Sequence, residues 1–298
     1  MIQNSIQLHP NKGLVALMLA ALLYGLYGVI SKIVGIDFGV FFLGWSRGVI
    51  IGLVVLIIFF VRRHWIKLQT GDYKWFASMS AAGVISFLTI FVAFNYIPIG
   101  TALFIFFSSL IIASYVIGYW LFREQLTVSK LVLLGLSLAG LILLFYGRLD
   151  GDNWQFLALA CISGISGAIW NVFSKKVSVV YPLSEIILID AIMAIIICLP
   201  LSLVFREPVS FFNFFTELPT IGLFAFITIG ANAMTFTGFK NLPAQIASII
   251  MLLELVYGVI FGWLFFKEIL SPLEMAGGIL IILAVVLSSL IAKERVSI

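Results

Sequence analysis

The stretch Leu121-Phe-Arg-Glu-Gln-Leu-Thr127 returns 144 residues later as Phe265-Phe-Lys-Glu-Ile-Leu-Ser271. Ser31-Lys32 returns as Ser174-Lys175, 143 residues on, and Pro98 as Pro243, 145 residues on. Single-residue slips in loops or spans account for the drift in offset. The second half of the chain therefore repeats the first, and each half carries five apolar spans. An odd number of spans per half makes the second half enter the bilayer from the opposite side. That is an inverted-topology repeat, an architecture that places a site near the bilayer midplane.

Composition agrees with a lipid solvent. The chain has 298 residues, of which 63% are apolar and 10% charged, and its mean hydropathy is +1.21. A water-soluble chain of this length could not hide so much apolar surface, because single cores stop growing near this size. The 28 phenylalanines suit both lipid contact and cavity lining. Cys161 and Cys198 fall inside apolar spans at no metal-type or redox-type spacing and read as small core residues. The net charge of +4 is spread over the ends of spans and does not gather on a face, so no nucleic-acid partner is expected. The first apolar run begins at Leu14 and flows into a second span without a small-residue cleavage site, which reads as a membrane helix rather than a signal peptide.

A ~30 Å hydrocarbon core takes about 20 helical residues. With that ruler, spans fall near 14–35, 39–61, 75–95, 99–121, 128–146, 154–174, 184–205, 219–239, 244–265 and 272–292. The expected fold class is an all-α polytopic membrane protein, ten transmembrane helices arranged as two inverted five-helix repeats. Residues 1–13 form an N-terminal segment, 14–146 and 154–292 the two repeats, and 293–298 a C-terminal tail. With the N-terminus cytoplasmic, that side carries twelve basic residues: Lys12, Arg62, Arg63, Lys67, Lys74, Arg123, Lys130, Lys175, Lys176, Lys240, Lys293 and Arg295. The other side carries four, namely Lys32, Arg148, Arg206 and Lys267. The positive-inside bias puts both termini in the cytoplasm. The aromatic segment after Arg206 reads as lying along the interface. Small residues Gly135, Ala139, Gly140, Gly277 and Gly278 mark close helix approach in the fifth and tenth spans.

Three ionisable residues lie deep in spans: Arg47, Asp190 and Glu254. At 1.5 Å per residue, Glu254 is about 15 Å into its span, near the midplane, with Asp190 about 10 Å from the cytoplasmic side and Arg47 about 12 Å from the other. Such groups are costly against lipid and turn inward. Glu254 reads as a protonatable coupling site or a carboxylic acid bonded across helices, with Asp190 a second coupling candidate or a structural group. Arg47 reads as an ion-pair partner, an interfacial anchor, or the receiver of a substrate carboxylate. Arg47 and Asp190 are 143 residues apart and hence related by the repeat. Polar and aromatic residues at helical spacing suggest a cavity wall: Tyr24 and Tyr27 share a face, as do Asn232 and Thr235. Trp170, the repeat mate of Tyr27, has Asn171 beside it, and Tyr257 follows Glu254 by one turn. No GxxxxGK[ST] loop, HExxH or Cys/His cluster occurs, so neither ATP, metal nor another cofactor is expected. Glu124 and Glu268 sit at span ends, where capping and pairing with Arg123, Lys267 or loop amides is the natural role.

This set of residues resembles the EamA-type transporters of the drug/metabolite transporter superfamily over roughly residues 14–292. The resemblance is carried by the five-plus-five repeat, Arg47, Asn95-Tyr-Ile-Pro98, Glu124-Gln-Leu-Thr127, and Leu253-Glu254 with Gly258 and Glu268. Leu255 stands where the family commonly has proline, and Ser108-Ser109-Leu110 holds the related place in the first repeat. The resemblance implies a secondary transporter in the cytoplasmic (inner) membrane, not an enzyme, with a small-molecule substrate and membrane lipid as partners. Amino acids and related metabolites come first as substrates, exported by alternating access. Multidrug or nucleoside- or nucleotide-type carriage of the same fold is the alternative, and a membrane-embedded enzyme or a structural or receptor protein the competing class. Either a monomer or a homodimer is compatible with the repeat.

Overall fold

The structure, a computed structural model, describes residues 9–34, 39–62, 66–146, 154–207, 211–267 and 270–294. Among them are eleven helices. The first half holds α1 (Pro10–Val34), α2 (Val40–Arg62), α3 (Tyr73–Phe94), α4 (Ile99–Phe122) and α5 (Val128–Leu144). The second holds α6 (Trp154–Val177), α7 (Leu183–Val204), α8 (Phe211–Asn241), α9 (Ala244–Met251), α10 (Leu253–Phe266) and α11 (Pro272–Glu294). Helices α9 and α10 together make one apolar span, Ala244–Phe266, so the described residues hold nine spans long and apolar enough to cross a bilayer, with α5 a shorter apolar helix beside them. At 17 residues α5 is the shortest, just long enough for the hydrocarbon core.

Two features depart from the sequence expectation. Helix α8 starts at Phe211, ahead of residue 219, so much of the aromatic segment after Arg206 is helical. The ninth span is also broken although it has no proline. Around Leu252 (φ −61°, ψ −17°) the bonding tightens to a three-residue register, Leu252 N–H to Ile249 O at 3.1 Å and Leu255 N–H to Leu252 O at 3.0 Å. The chain's ends, including Arg295, and also Arg63, His64, Arg148 and Glu268, lie outside the described residues.

The opening repeat motif has a structural meaning in both halves. Arg123 and Lys267 end α4 and α10 in left-handed backbone (φ 52° and 55°), and Pro98 and Pro243 precede α4 and α9 in the extended conformation their rings favour.

Polarity is inverted relative to a soluble fold. Trp120, Val61 and Val128 are exposed on the outside, whereas Ser46, Ser80, Ser114, Ser163 and Ser174 are buried inside. Helix packing follows the repeat. The dominant contacts are α3 on α6 with its mate α8 on α1, α4 on α6 with its mate α10 on α1, and the self-mated pairs α2 on α7 and α5 on α11. Every one of these joins one half to the other.

The α5–α11 crossing requires glycine at one point. A Cβ on Gly277 would sit 2.5 Å from the Leu144 nitrogen and 2.7 Å from the Gly140 oxygen, backbone atoms that cannot swing aside. Gly135 and Gly278 face open space, so the close approach runs through Gly140 and Gly277 alone among these glycines. Gly277→Val is expected to destabilise the protein by roughly 1–3 kcal/mol, the usual cost of overpacking, read as a lower melting temperature in detergent; Gly278→Val should melt near wild type.

Candidate functional site

Where the interlocked halves meet, a cavity of about 330 Å³ opens between all the helices except α5 and α11. Its wall repeats the chain's internal symmetry. At an offset of 143 residues lie Tyr24 and Gly167, Tyr27 and Trp170, Gly44 and Ile187, Arg47 and Asp190, Gly48 and Ala191, and Ile51 and Ala194. At 144 lie Val84 and Thr228, Phe107 and Met251, and Leu110 and Glu254. A cavity lined by mated positions sits on the pseudo-two-fold axis. The mates differ in chemistry, so backbone symmetry is kept while the polar groups are not.

Two dyads flank that axis. Tyr27 on α1 accepts a hydrogen bond from Arg47 Nη1 on α2 at 3.1 Å, and the Arg47 guanidinium stands 4.8 Å from the Phe87 ring centre. In the mated position, Trp170 Nε1 on α6 donates to Asp190 Oδ2 on α7 at 2.8 Å. Both dyads span 20 residues of sequence, since 47 − 27 and 190 − 170 are equal. They are the same device with opposite charge. No ion pair joins Arg47 to Asp190 among the described residues, so each charge keeps capacity for a ligand. An Arg retains further donors in its planar fork, and Asp190 Oδ1 is buried without a hydrogen bond.

The third ionisable residue, Glu254, is in the first turn of α10, just past the break at Leu252. It lines the cavity, and its carboxyl group has no hydrogen-bond partner among the described residues. Tyr24 donates to Asn232 Oδ1 at 2.7 Å, tying α1 to α8 across the wall. Asn171 lines the same space, and its side-chain oxygen is buried and unbonded. Of the residues expected at the site, Tyr24, Tyr27, Arg47, Trp170, Asn171, Asp190, Asn232 and Glu254 are brought together. Thr235 and Tyr257 are not in the wall. Thr235 is fully buried, and Tyr257 packs its Cβ toward Gly25 and stacks on Phe261.

Sequence reasoning passed over α3, which carries no ionisable residue beyond its first two positions, Tyr73 and Lys74, but contributes Ser80, Gly83 and Phe87 to the wall. Gly83 is where the Trp170 indole passes: a Cβ there would lie 2.6 Å from Trp170 Cδ1 and 2.9 Å from Nε1. The available signal was the spacing of Ser80, Gly83 and Phe87, three and four apart on one helix face.

Away from the cavity, a polar cluster bolts one end of the bundle. Glu124, just after α4, forms an ion pair with Lys175 of α6 at 2.7 Å and accepts the Ala244 N–H at the start of α9 at 2.8 Å. The fully buried Lys130 of α5 donates to the Gln125 carbonyl at 2.9 Å and to the Gln245 side chain. The roles expected for Glu124 were capping and pairing with Arg123, Lys267 or loop amides; the structure supplies Lys175 and the N-terminus of α9, both from the other half.

The sequence model of the EamA-like transporter family matches residues 11–146 and again 154–290. Among curated proteins no match is found. A solved structure titled only "Crystal structure of protein" superposes with a TM-score of 0.75 at 15% identity, covering 94% of this chain and 99% of its own, which is a likeness of fold.

Proposed function

The chain belongs to the EamA-like transporter family, and from that premise we propose that it carries a small organic metabolite across the cytoplasmic membrane by alternating access, exporting it from a cell in which both termini are cytoplasmic. Amino acids and related compounds are the first candidates. Arg47 receives the substrate carboxylate, and Glu254 exchanges a proton for substrate. The observation that carries this reading is the position of Glu254: a carboxyl group without a hydrogen-bond partner among the described residues, facing the cavity beside the broken turn at Leu252. A lone carboxylate at depth is costly, and taking up a proton or a ligand's donor relieves that cost. The break lets the two parts of the span change angle at the point where the carboxyl group faces the cavity. Support for the substrate comes from a cavity that joins a cation and an anion to aromatic walls.

The test is flux in proteoliposomes containing purified protein, with an imposed pH gradient. Glu254→Gln is expected to abolish the gradient's effect on flux while substrate still binds. If the variant's flux followed the gradient as the wild type's does, Glu254 would not be the coupling group.

A further inference from the structure

We propose that the Asp190 side of the cavity is a binding subsite for a cationic nitrogen, a primary ammonium above all, with Ser80 as its second acceptor. This inference rests on the transport reading for its place in the cycle, and its evidence is separate: the geometry of the Trp170–Asp190 dyad. Only one of the two Asp190 oxygens is used, by the Trp170 indole at 2.8 Å; the other is buried and unbonded. Ser80 is fully buried, lines the same cavity as Asp190, and its hydroxyl has no hydrogen-bond partner among the described residues. Two oxygen acceptors with spare capacity therefore belong to one cavity wall, and among the described residues neither is hydrogen-bonded. An anion away from water with a single neutral donor is under-compensated. Arg47 shares the cavity wall with Asp190 and does not pair with it among the described residues.

A ligand ammonium has three donors and the charge this pocket lacks. It would bond Asp190 Oδ1 and the Ser80 oxygen while the Trp170 indole N–H holds the other carboxylate oxygen. Gly83 is the positioning residue, because only a glycine leaves the indole room to reach Asp190. Since the Tyr27–Arg47 dyad is the mate of this one, a ligand bridging the axis meets a guanidinium at one end and a carboxylate at the other. On this proposal Asp190 serves as a recognition group.

Two probes with the same aromatic body and opposite charge separate these roles: 2-phenylethylamine and 3-phenylpropionate, titrated calorimetrically at pH 7 into the purified full-length protein. The amine is expected to bind wild type, and Asp190→Asn to weaken it at least about tenfold, the worth of one charge-assisted hydrogen bond. The same variant should bind the carboxylate as tightly or more so, because a repelling charge is gone. Ser80→Ala should weaken the amine by a smaller factor, and it keeps the question open to test if Asp190→Asn fails to fold. The proposal is overturned if the amine does not bind wild type, if Asp190→Asn and Ser80→Ala leave its affinity unchanged, or if both probes weaken alike as for a general proton site. Loss of solute flux with Asp190-dependent amine binding intact would instead count against the transport reading alone.

Discussion

Arg47→Ala is expected to lower carrier flux of a carboxylate-bearing substrate by at least about 30-fold, the equivalent of losing a buried charge-assisted contact worth roughly 2–3 kcal/mol. The guanidinium already stands over the Phe87 ring and bonds Tyr27, so little ordering remains to be done when a carboxylate arrives. Arg47→Lys should recover only a small part, because a lysine cannot reproduce the planar fork or the stacking. Radiolabelled amino-acid exchange in proteoliposomes, with melting temperature as a control for folding, reads the result. Near-normal flux in Arg47→Ala would remove the carboxylate role.

The second large effect lies at the bolted end of the bundle. Glu124→Ala takes the counter-charge from Lys175, whose side chain is 16% exposed, and the cap from the N-terminus of α9. Breaking such a pair by removing one partner costs about 3 kcal/mol or more, and the lost cap adds roughly 1 kcal/mol. The expected outcome is a protein that unfolds at markedly lower denaturant and favours conformers open at that end. Lys175→Met combined with Glu124→Gln should recover part of the loss, since no unpaired charge remains. The exchanged pair, Glu124→Lys with Lys175→Glu, should recover little, because a cation would then face the positive end of α9. Full recovery by the exchanged pair would mean that the helix cap contributes nothing.

Much of the architecture could be read from the residues themselves. Apolar runs of bilayer length gave ten spans, and the recurrence of Ser-Lys, Pro and Arg/Lys-Glu at a near-constant offset gave two halves. The site was half legible. Deep charges announce themselves by their cost, so Arg47, Asp190 and Glu254 stood out, and the equal spacing of Tyr27 to Arg47 and Trp170 to Asp190 was there to be counted. Ser80 and Gly83 were not legible, because small residues in a membrane helix serve packing far more often than recognition. Thr235 shows the converse: it shares a face with Asn232, yet Tyr24 bonds Asn232 and Thr235 is buried behind the wall. Long-range pairing was out of reach as well. Nothing in the local sequence of Glu124 says that its lysine lies 51 residues away in the other half. The break at Leu252 was hidden for a related reason, since no proline or glycine stands at the broken turn to announce it.

The interlocked packing bears on how the chain comes to be made. During synthesis, α1, α2 and α3 are complete long before α8, α7 and α6, their main partners, have left the ribosome. The early helices must wait in the bilayer as separate, inserted rods, and assembly begins in earnest only when the sixth arrives. A gene fragment ending near residue 146 would yield spans that insert but find nothing to clasp. Supplied in trans, the remaining fragment should rescue it. An ancestor of half this length, with the same surfaces, would have met that need by embracing an upside-down twin.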